Sequence, residues 1–292
     1  MPSSSSPSAA ALADLWYQRY RTALPAELAT LLQEGALPAN DVLLTALRHH
    51  SVRHYADTPL PAGALELGIA AASSAPTSSN LQTWSVVAVE DPARRQKLAE
   101  LSGQQPYVAQ APLFLAWIVD LSRLERMAER EGLGSAGLDH HEAFLMASFD
   151  TALAAQNSAL AFESMGLGTV FIGGLRNEPE KVAELLGLPP RCVAVCGLSV
   201  GVPARMTAEE RRPAIKPRLG QEVILHREHY SAQEEPAHIA AYDSRADAYQ
   251  QEQGLPSRQW SSTAAGRMAE ASGLGERAMM GAILKRLGFP LK

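Results

Sequence analysis

The sequence predicts an α/β or α+β sandwich, and three observations carry that expectation. Four short apolar runs alternate with helical patterns between residues 84 and 200, as strands and covering helices do in a layered domain. Hydrophobic residues make up 46% of the 292-residue chain, enough to bury a sizeable core. A long Ala-rich stretch, 139–165, is apolar nearly all round, which marks a helix buried centrally or across a subunit interface.

The elements follow in order. Residues 1–10 are rich in Ser, Pro and Ala and are expected to be disordered. Residues 11–35 read as helical through Leu12, Leu15, Trp16, Tyr20, Leu28, Leu31 and Leu32, with a break at Pro25. Residues 1–40 are therefore read as a partly disordered N-terminal extension, and 41–292 as the main domain. Asp41 is placed to cap a helix over 42–48. A second helix follows Pro61, and the segment 75–80 is a loop. Residues 84–89 form a strand, 92–101 a helix, and 113–119 a strand apolar enough to be covered on both faces. A charged helix over 121–132 precedes the long helix 139–165. Residues 168–173 are a strand, 179–186 a helix and 192–200 a strand. Residues 203–220 are a polar, Pro-interrupted loop. The chain beyond is a helical excursion, polar over 236–253 and weakly apolar over 258–292.

Composition narrows the function. A net charge of −5 argues against nucleic-acid binding, which needs a basic surface. No run of ~18 apolar residues offers a membrane span. The start, residues 1–7, lacks the basic and apolar regions of a signal peptide. The two cysteines, Cys192 and Cys196, are four apart in one strand and so are expected on one face. Strand rise sets them about 13 Å apart, too far for a disulfide. They read as core residues of a chain in a reducing compartment, which points to the cytoplasm.

Four segments carry candidate chemistry. Residues 48–55 crowd Arg48, His49, His50, Arg53 and His54 around Ser51, a set that suits a phosphate, with a solvated helix end as the other reading. Residues 75–82 pack Thr77, Ser78, Ser79, Asn80 and Gln82 between a helix and a strand, suiting an uncharged polar ligand or an ordinary Ser-rich turn. Gly173 and Gly174 end a buried strand, where a ligand can approach the backbone closely, although a tight turn also explains them. Lys216-Pro217-Arg218 offers two cations on a preset backbone, for an anion or as a basic turn. There is no G-x-S-x-G elbow, no H-E-x-x-H and no P-loop, and no metal site is expected. Anion and backbone-donor segments without a nucleophile suit an enzyme whose cofactor carries the chemistry.

Six segments in order resemble the nitroreductase family, closest to its oxygen-insensitive NADPH nitroreductases and NADPH–flavin reductases. They are His49-His50-Ser51-Val52-Arg53, residues 75–82, residues 103–112, residues 150–157, Phe171-Ile172-Gly173-Gly174-Leu175-Arg176-Asn177 and Lys216-Pro217-Arg218-Leu219. The resemblance implies an α+β fold with a mostly antiparallel sheet, an intertwined homodimer and one FMN in each of two interface sites. His49, His50, Ser51, Lys216 and Arg218 would meet the phosphate. Arg53 would lie at the pyrimidine edge of the flavin, where a cation favours the reduced ring. Gln105 would bond the ring, and Ile172, Gly173 and Gly174 would pass beside it. Thr77, Ser78 and Ser79 would line the site, partly from the other subunit. Asn80 and Tyr107 would border the acceptor pocket.

NADPH or NADH would be the co-substrate, with Arg258 holding the 2′-phosphate. Gln253 stands where a second arginine is frequent, and His50 where an arginine is frequent. The implied activity is two-electron ping-pong reduction of nitroaromatics, quinones or flavins. Supply of reduced FMN to a monooxygenase and non-redox flavin binding are the alternatives.

Overall fold

The computed structural model describes residues 7–205 and 214–292. The disorder expected of 1–10 therefore concerns undescribed residues at 1–6, and it fails at 7–10, where the first helix has begun. Part of the loop expected over 203–220, residues 206–213, also lies outside the described residues.

By contacts the chain forms two compact units, Met1–His50 with Met206–Leu274, and Ser51–Arg205 with Gly275–Lys292. The first holds helices α1 (Pro7–Tyr20), α2 (Ala26–Gln33) and α3 (Asp41–Arg48). Later in the chain it also holds α10 (Gln221–Ile224), α11 (Glu235–Glu252) and α12 (Trp260–Met268), the intervening helices belonging to the second unit. Its core is small: Leu12 and Leu15 of α1 meet Leu32 of α2, Leu44 of α3 and Ile215. The residues read from sequence as an extension thus share a core with α3. The α3 cap is Asn40, whose side chain accepts from the Leu43 N–H, and Asp41 is the first helical residue instead.

The second unit carries the sheet. Its strands are β1 (Trp84–Val89), β2 (Leu113–Asp120), β3 (Gly168–Ile172) and β4 (Cys192–Gly201), in the order β1-β2-β4-β3, every pair antiparallel. The helices are α4 (Ala64–Ser73), α5 (Pro92–Leu101), α6 (Pro106–Gln110), α7 (Ser122–Arg130), α8 (His141–Ser164), α9 (Pro179–Leu186) and α13 (Met280–Arg286). Strand β2 is buried along its whole length, as its unbroken apolar run predicts. Phe114, Ala116 and Ile118 face Leu98 and Val182 of α5 and α9. Leu113, Leu115 and Trp117 face Ala154, Ala155 and Phe162 of α8. Period-two alternation divides one strand between two cores.

A bulge in β4 corrects the reading of the cysteines. Trp117 pairs with Cys196, but Ile118 pairs with Ala194, so Val195 is an extra residue. The extra residue inverts the alternation. Cys192 and Ala194 join the core on the α5–α9 side, whereas Cys196, Leu198 and Val200 join the α8 side. The two thiols therefore lie on opposite faces, not on the same one.

Helix α8 explains its missing polar face in two ways. Ala143, Ala147, Ala154, Ala155 and Phe162 are buried in the chain's own core. Leu145, Phe149 and Leu153, at four-residue spacing, form an exposed stripe, with Phe149 61% exposed.

Candidate functional site

The sheet unit assembles four of the expected residues at the end of β3. Residues 52–56 run beside the sheet: the Val52 N–H donates to Thr169 O (2.9 Å) and the Ala56 N–H to Val202 O (2.9 Å). Gly168 leaves no room for a Cβ, which would lie 2.7 Å from the Val52 side chain. The Tyr55 hydroxyl is within hydrogen-bonding distance of Val52 O (2.8 Å) and Ser199 O (3.3 Å). Burial pushes its pKa up, so Tyr55 is a neutral tether and no acid.

This tethered segment carries Arg53, exposed, with its guanidinium 5.7 Å from the centre of the Tyr107 ring. The Tyr107 hydroxyl donates to Gln105 Oε1, and Gln105 Nε2 donates to Ser102 O (2.6 Å). Gly174 completes the chain of contacts. A Cβ there would meet Ser102 O at 2.2 Å and Gln105 Nε2 at 2.6 Å. Arg53, Tyr107, Gln105 and Gly174 are thus one connected group, with Gly173 at the head of the following 3₁₀ turn and Ile172 buried beneath it. Sequence placed Tyr107 at the acceptor pocket; in this unit it bridges Arg53 and Gln105.

The loop holding Thr77, Ser78, Ser79 and Asn80 is fastened to α8 by Asp150. This carboxylate, on a residue 3% exposed, accepts from Thr77 Oγ1 (2.5 Å), the Ser78 N–H (3.1 Å) and Thr83 Oγ1 (2.9 Å). Ser79, Asn80 and Gln82 all have left-handed backbones, with φ of 48°, 56° and 51°. A cavity of about 400 Å³ lies between Thr77 and Ser78 and the exposed stripe of Leu145, Phe149 and Leu153. Sequence reasoning gave Asp150 no role. Its signal was present: it is the one acid in the interior of an apolar helix.

The helical unit holds the expected cations. Lys216 and Arg218 are exposed on either side of buried Pro217, whose carbonyl accepts from the Tyr242 hydroxyl (3.1 Å). They line a cavity of about 910 Å³ with Arg258, Tyr20, Tyr242, Tyr249 and Trp260. Tyr242 and Trp260 stack edge to face at 5.3 Å. Arg258, read from sequence as a separate nicotinamide contact, therefore shares one cavity with the phosphate candidates. Its segment is tied back to α11, because Gln250 Nε2 donates to Arg258 O (2.9 Å). Gln253 is the C-cap of that helix. His49 closes α3, and its carbonyl accepts from Arg19. His50 is not brought into the cavity of Lys216 and Arg218; it lines a smaller cleft with Arg48, Asp14 and Gln18.

Neither cysteine is an activated thiol. Burial pushes Cys192 up to about 12 and Cys196 up to about 11, the latter against the opposing pull of Arg176. Among the described residues no group of three His, Cys, Asp or Glu is placed to hold a metal ion, and no helix is long and apolar enough to cross a membrane.

An antiparallel sheet packed on one long helix, with a cation and an amide at a strand end and no activated thiol, defines an α+β protein suited to cofactor chemistry. The Nitroreductase family matches residues 46–202, over half of the chain, and the family's C-terminal domain matches 216–292. The chain belongs to the nitroreductase family. It is 37% identical to an FMN reductase [NAD(P)H] of Bacillus subtilis, over 77% of this chain and 90% of that one. It is 38% identical to an oxygen-insensitive NADPH nitroreductase of Salmonella typhimurium, over 73% and 85%. Among solved structures, NADPH:FMN oxidoreductase from Vibrio harveyi complexed with NAD+ matches with a TM-score of 0.75 and 33% identity, covering 87% of this chain and 100% of that one. Residues before 46 lie outside both matched family segments.

Proposed function

We propose that this chain is an FMN-dependent NAD(P)H oxidoreductase that reduces nitroaromatics, quinones or free flavin in two-electron ping-pong turnover, as a cytoplasmic homodimer. The connected group of Arg53, Tyr107, Gln105 and Gly174 is the observation that carries this reading. It offers a cation, an amide of fixed orientation and a paired-glycine strand end held against that amide, a set that fits a planar, acceptor-rich ring. Bound FMN supplies the hydride chemistry between nicotinamide and acceptor.

The chain's own residues supply binding and electrostatics. Arg53 sets positive charge where the ring's oxygen-rich edge lies. Gln105 spends one amide N–H on Ser102 and keeps the other for the ring. The tight approach of Gly174 holds Gln105 and the Ile172–Gly173–Gly174 backbone together. Lys216 and Arg218, with His49 and Ser51, serve the FMN phosphate, and His50, in its separate cleft, is left out of the set. Arg258 serves the nicotinamide dinucleotide, and its lone charge at the expected pair of positions leaves NADPH and NADH both competent. Asn80 and Tyr107 border the acceptor. The exposed α8 stripe is the homodimer face, and Thr77, Ser78 and Ser79 at its margin reach the partner's cofactor.

Purified protein should turn yellow and hold FMN, and its flavin absorbance should bleach anaerobically with NADPH or NADH. Protein that stays colourless after adding FMN ends the reading; bound FMN that neither nicotinamide bleaches favours a non-redox flavin binder. The B. subtilis relative's name, an FMN reductase, supports a second acceptor reading in which free FMN is the product-carrying substrate for a monooxygenase. Comparing kcat/KM for free FMN and for a nitroaromatic decides between them.

A further inference from the structure

Arg19 lies in the last turn of α1, outside the segments that the family matches cover, and is only 7% exposed. Its guanidinium donates to Leu47 O (3.0 Å) and His49 O (2.7 Å) at the end of α3, and to Lys216 O (2.9 Å). Its own carbonyl accepts from the Arg218 N–H (2.9 Å). One residue thus holds two segments that are far apart in sequence, and both supply candidate phosphate ligands. The acceptors are backbone carbonyls, so the brace fixes where those side chains begin without consuming them. The next two residues strengthen the junction. Tyr20 lines the cavity of Lys216, Arg218 and Arg258. Arg21 pairs with Glu252 of α11 (2.7 Å) and lies over the Tyr249 ring at 5.2 Å.

We propose that Arg19 is a positioning residue, which sets the spacing of the His49 and Lys216–Arg218 segments and so tunes affinity for the phosphate end of FMN. The proposal rests on the cofactor reading above. Its physical basis is the planar guanidinium fork, which can reach two backbones at once with charge-assisted hydrogen bonds. A lysine ammonium keeps the charge but not the fork. Helix α1 is, on this view, a part of the binding site that this chain adds to the family's matched segments.

The test compares FMN with riboflavin, which lacks the phosphate. Dissociation constants are measured by flavin fluorescence for the wild type, Arg19→Met, Arg19→Lys and, as a reference, Lys216→Ala. Arg19→Met should weaken FMN by about tenfold, the loss expected for charge-assisted bonds, and leave riboflavin unchanged. Arg19→Lys should lose nearly as much, because charge alone does not brace. Should Arg19→Met fail to fold, Arg19→Lys carries the same comparison. Equal weakening of FMN and riboflavin overturns the proposal, since that is a general structural effect. Full rescue by lysine also overturns it, since that is a charge effect. If Lys216→Ala lowers the FMN preference and neither Arg19 variant does, the brace alone falls. If the wild type binds riboflavin as tightly as FMN, the phosphate reading itself fails and the brace with it.

Discussion

Gly174 has no space for even one more carbon. A Cβ would stand 2.2 Å from Ser102 O, a backbone atom that cannot swing aside, and 2.6 Å from Gln105 Nε2. Gly173 differs: its nearest neighbour would be Arg176 Nη2 at 3.4 Å, an ordinary contact. Gly174→Ala should therefore cost about 1–3 kcal/mol of stability by overpacking and displace Gln105, weakening flavin binding. Gly173→Ala should leave folding stability nearly unchanged. Chemical denaturation of both variants checks this, and equal tolerance of the two sinks the close-approach account. The paired glycines were legible in sequence because a strand end needs a reason to carry them. Which of the two is indispensable was not, since that depends on where the 102–105 turn passes. The contact between Arg53 and Tyr107 was hidden for the same reason: residues far apart in sequence meet only through the sheet.

Elements whose hydrophobic period is intact could be read almost to the residue. Strand β1 and helices α5 and α9 match their sequence limits, because turn residues and prolines punctuate them. The bulge at Val195 could not be read, since one extra residue leaves the apolar run of β4 unbroken while inverting its faces. The loop 77–82 is a further case. Its left-handed backbone at Ser79, Asn80 and Gln82 costs energy, which buried hydrogen bonds to Asp150 offset. Replacing that carboxylate with an amide presents a donor to groups that are themselves donors. Asp150→Asn should lower stability by about 2–3 kcal/mol and make the 77–82 loop a site of early proteolysis. Thermal unfolding with limited proteolysis measures both. A variant as stable and as resistant as the wild type removes Asp150 as the fastener.

At the scale of the molecule, the open question is what covers α8. Composition showed that this helix lacks a polar face, but could not say which part of it the chain itself covers. The structure divides the helix: one side fills the core against β2, and Leu145, Phe149 and Leu153 face outward beside the Asp150-fastened loop. Exposed apolar side chains in a regular stripe mark an interaction surface more than a solvated one. Burying each contributes about 2 kcal/mol, part of which is lost to ordering two chains, so several must act together. A second copy of this chain presents the same stripe, and a self-complementary contact closes on itself as a dimer. Phe149→Glu places a charge in the centre of that stripe without touching the chain's own core. It should convert a dimer to monomers at micromolar concentration, seen by sedimentation. It should also cost FMN retention, because the Thr77–Ser79 loop would lose the partner whose site it lines. A wild type that sediments as a monomer, or a variant that stays dimeric, refutes this use of α8. A monomeric variant that keeps its FMN would separate the two halves of the argument, leaving the α8 face as the dimer contact and returning the whole cofactor site to one chain.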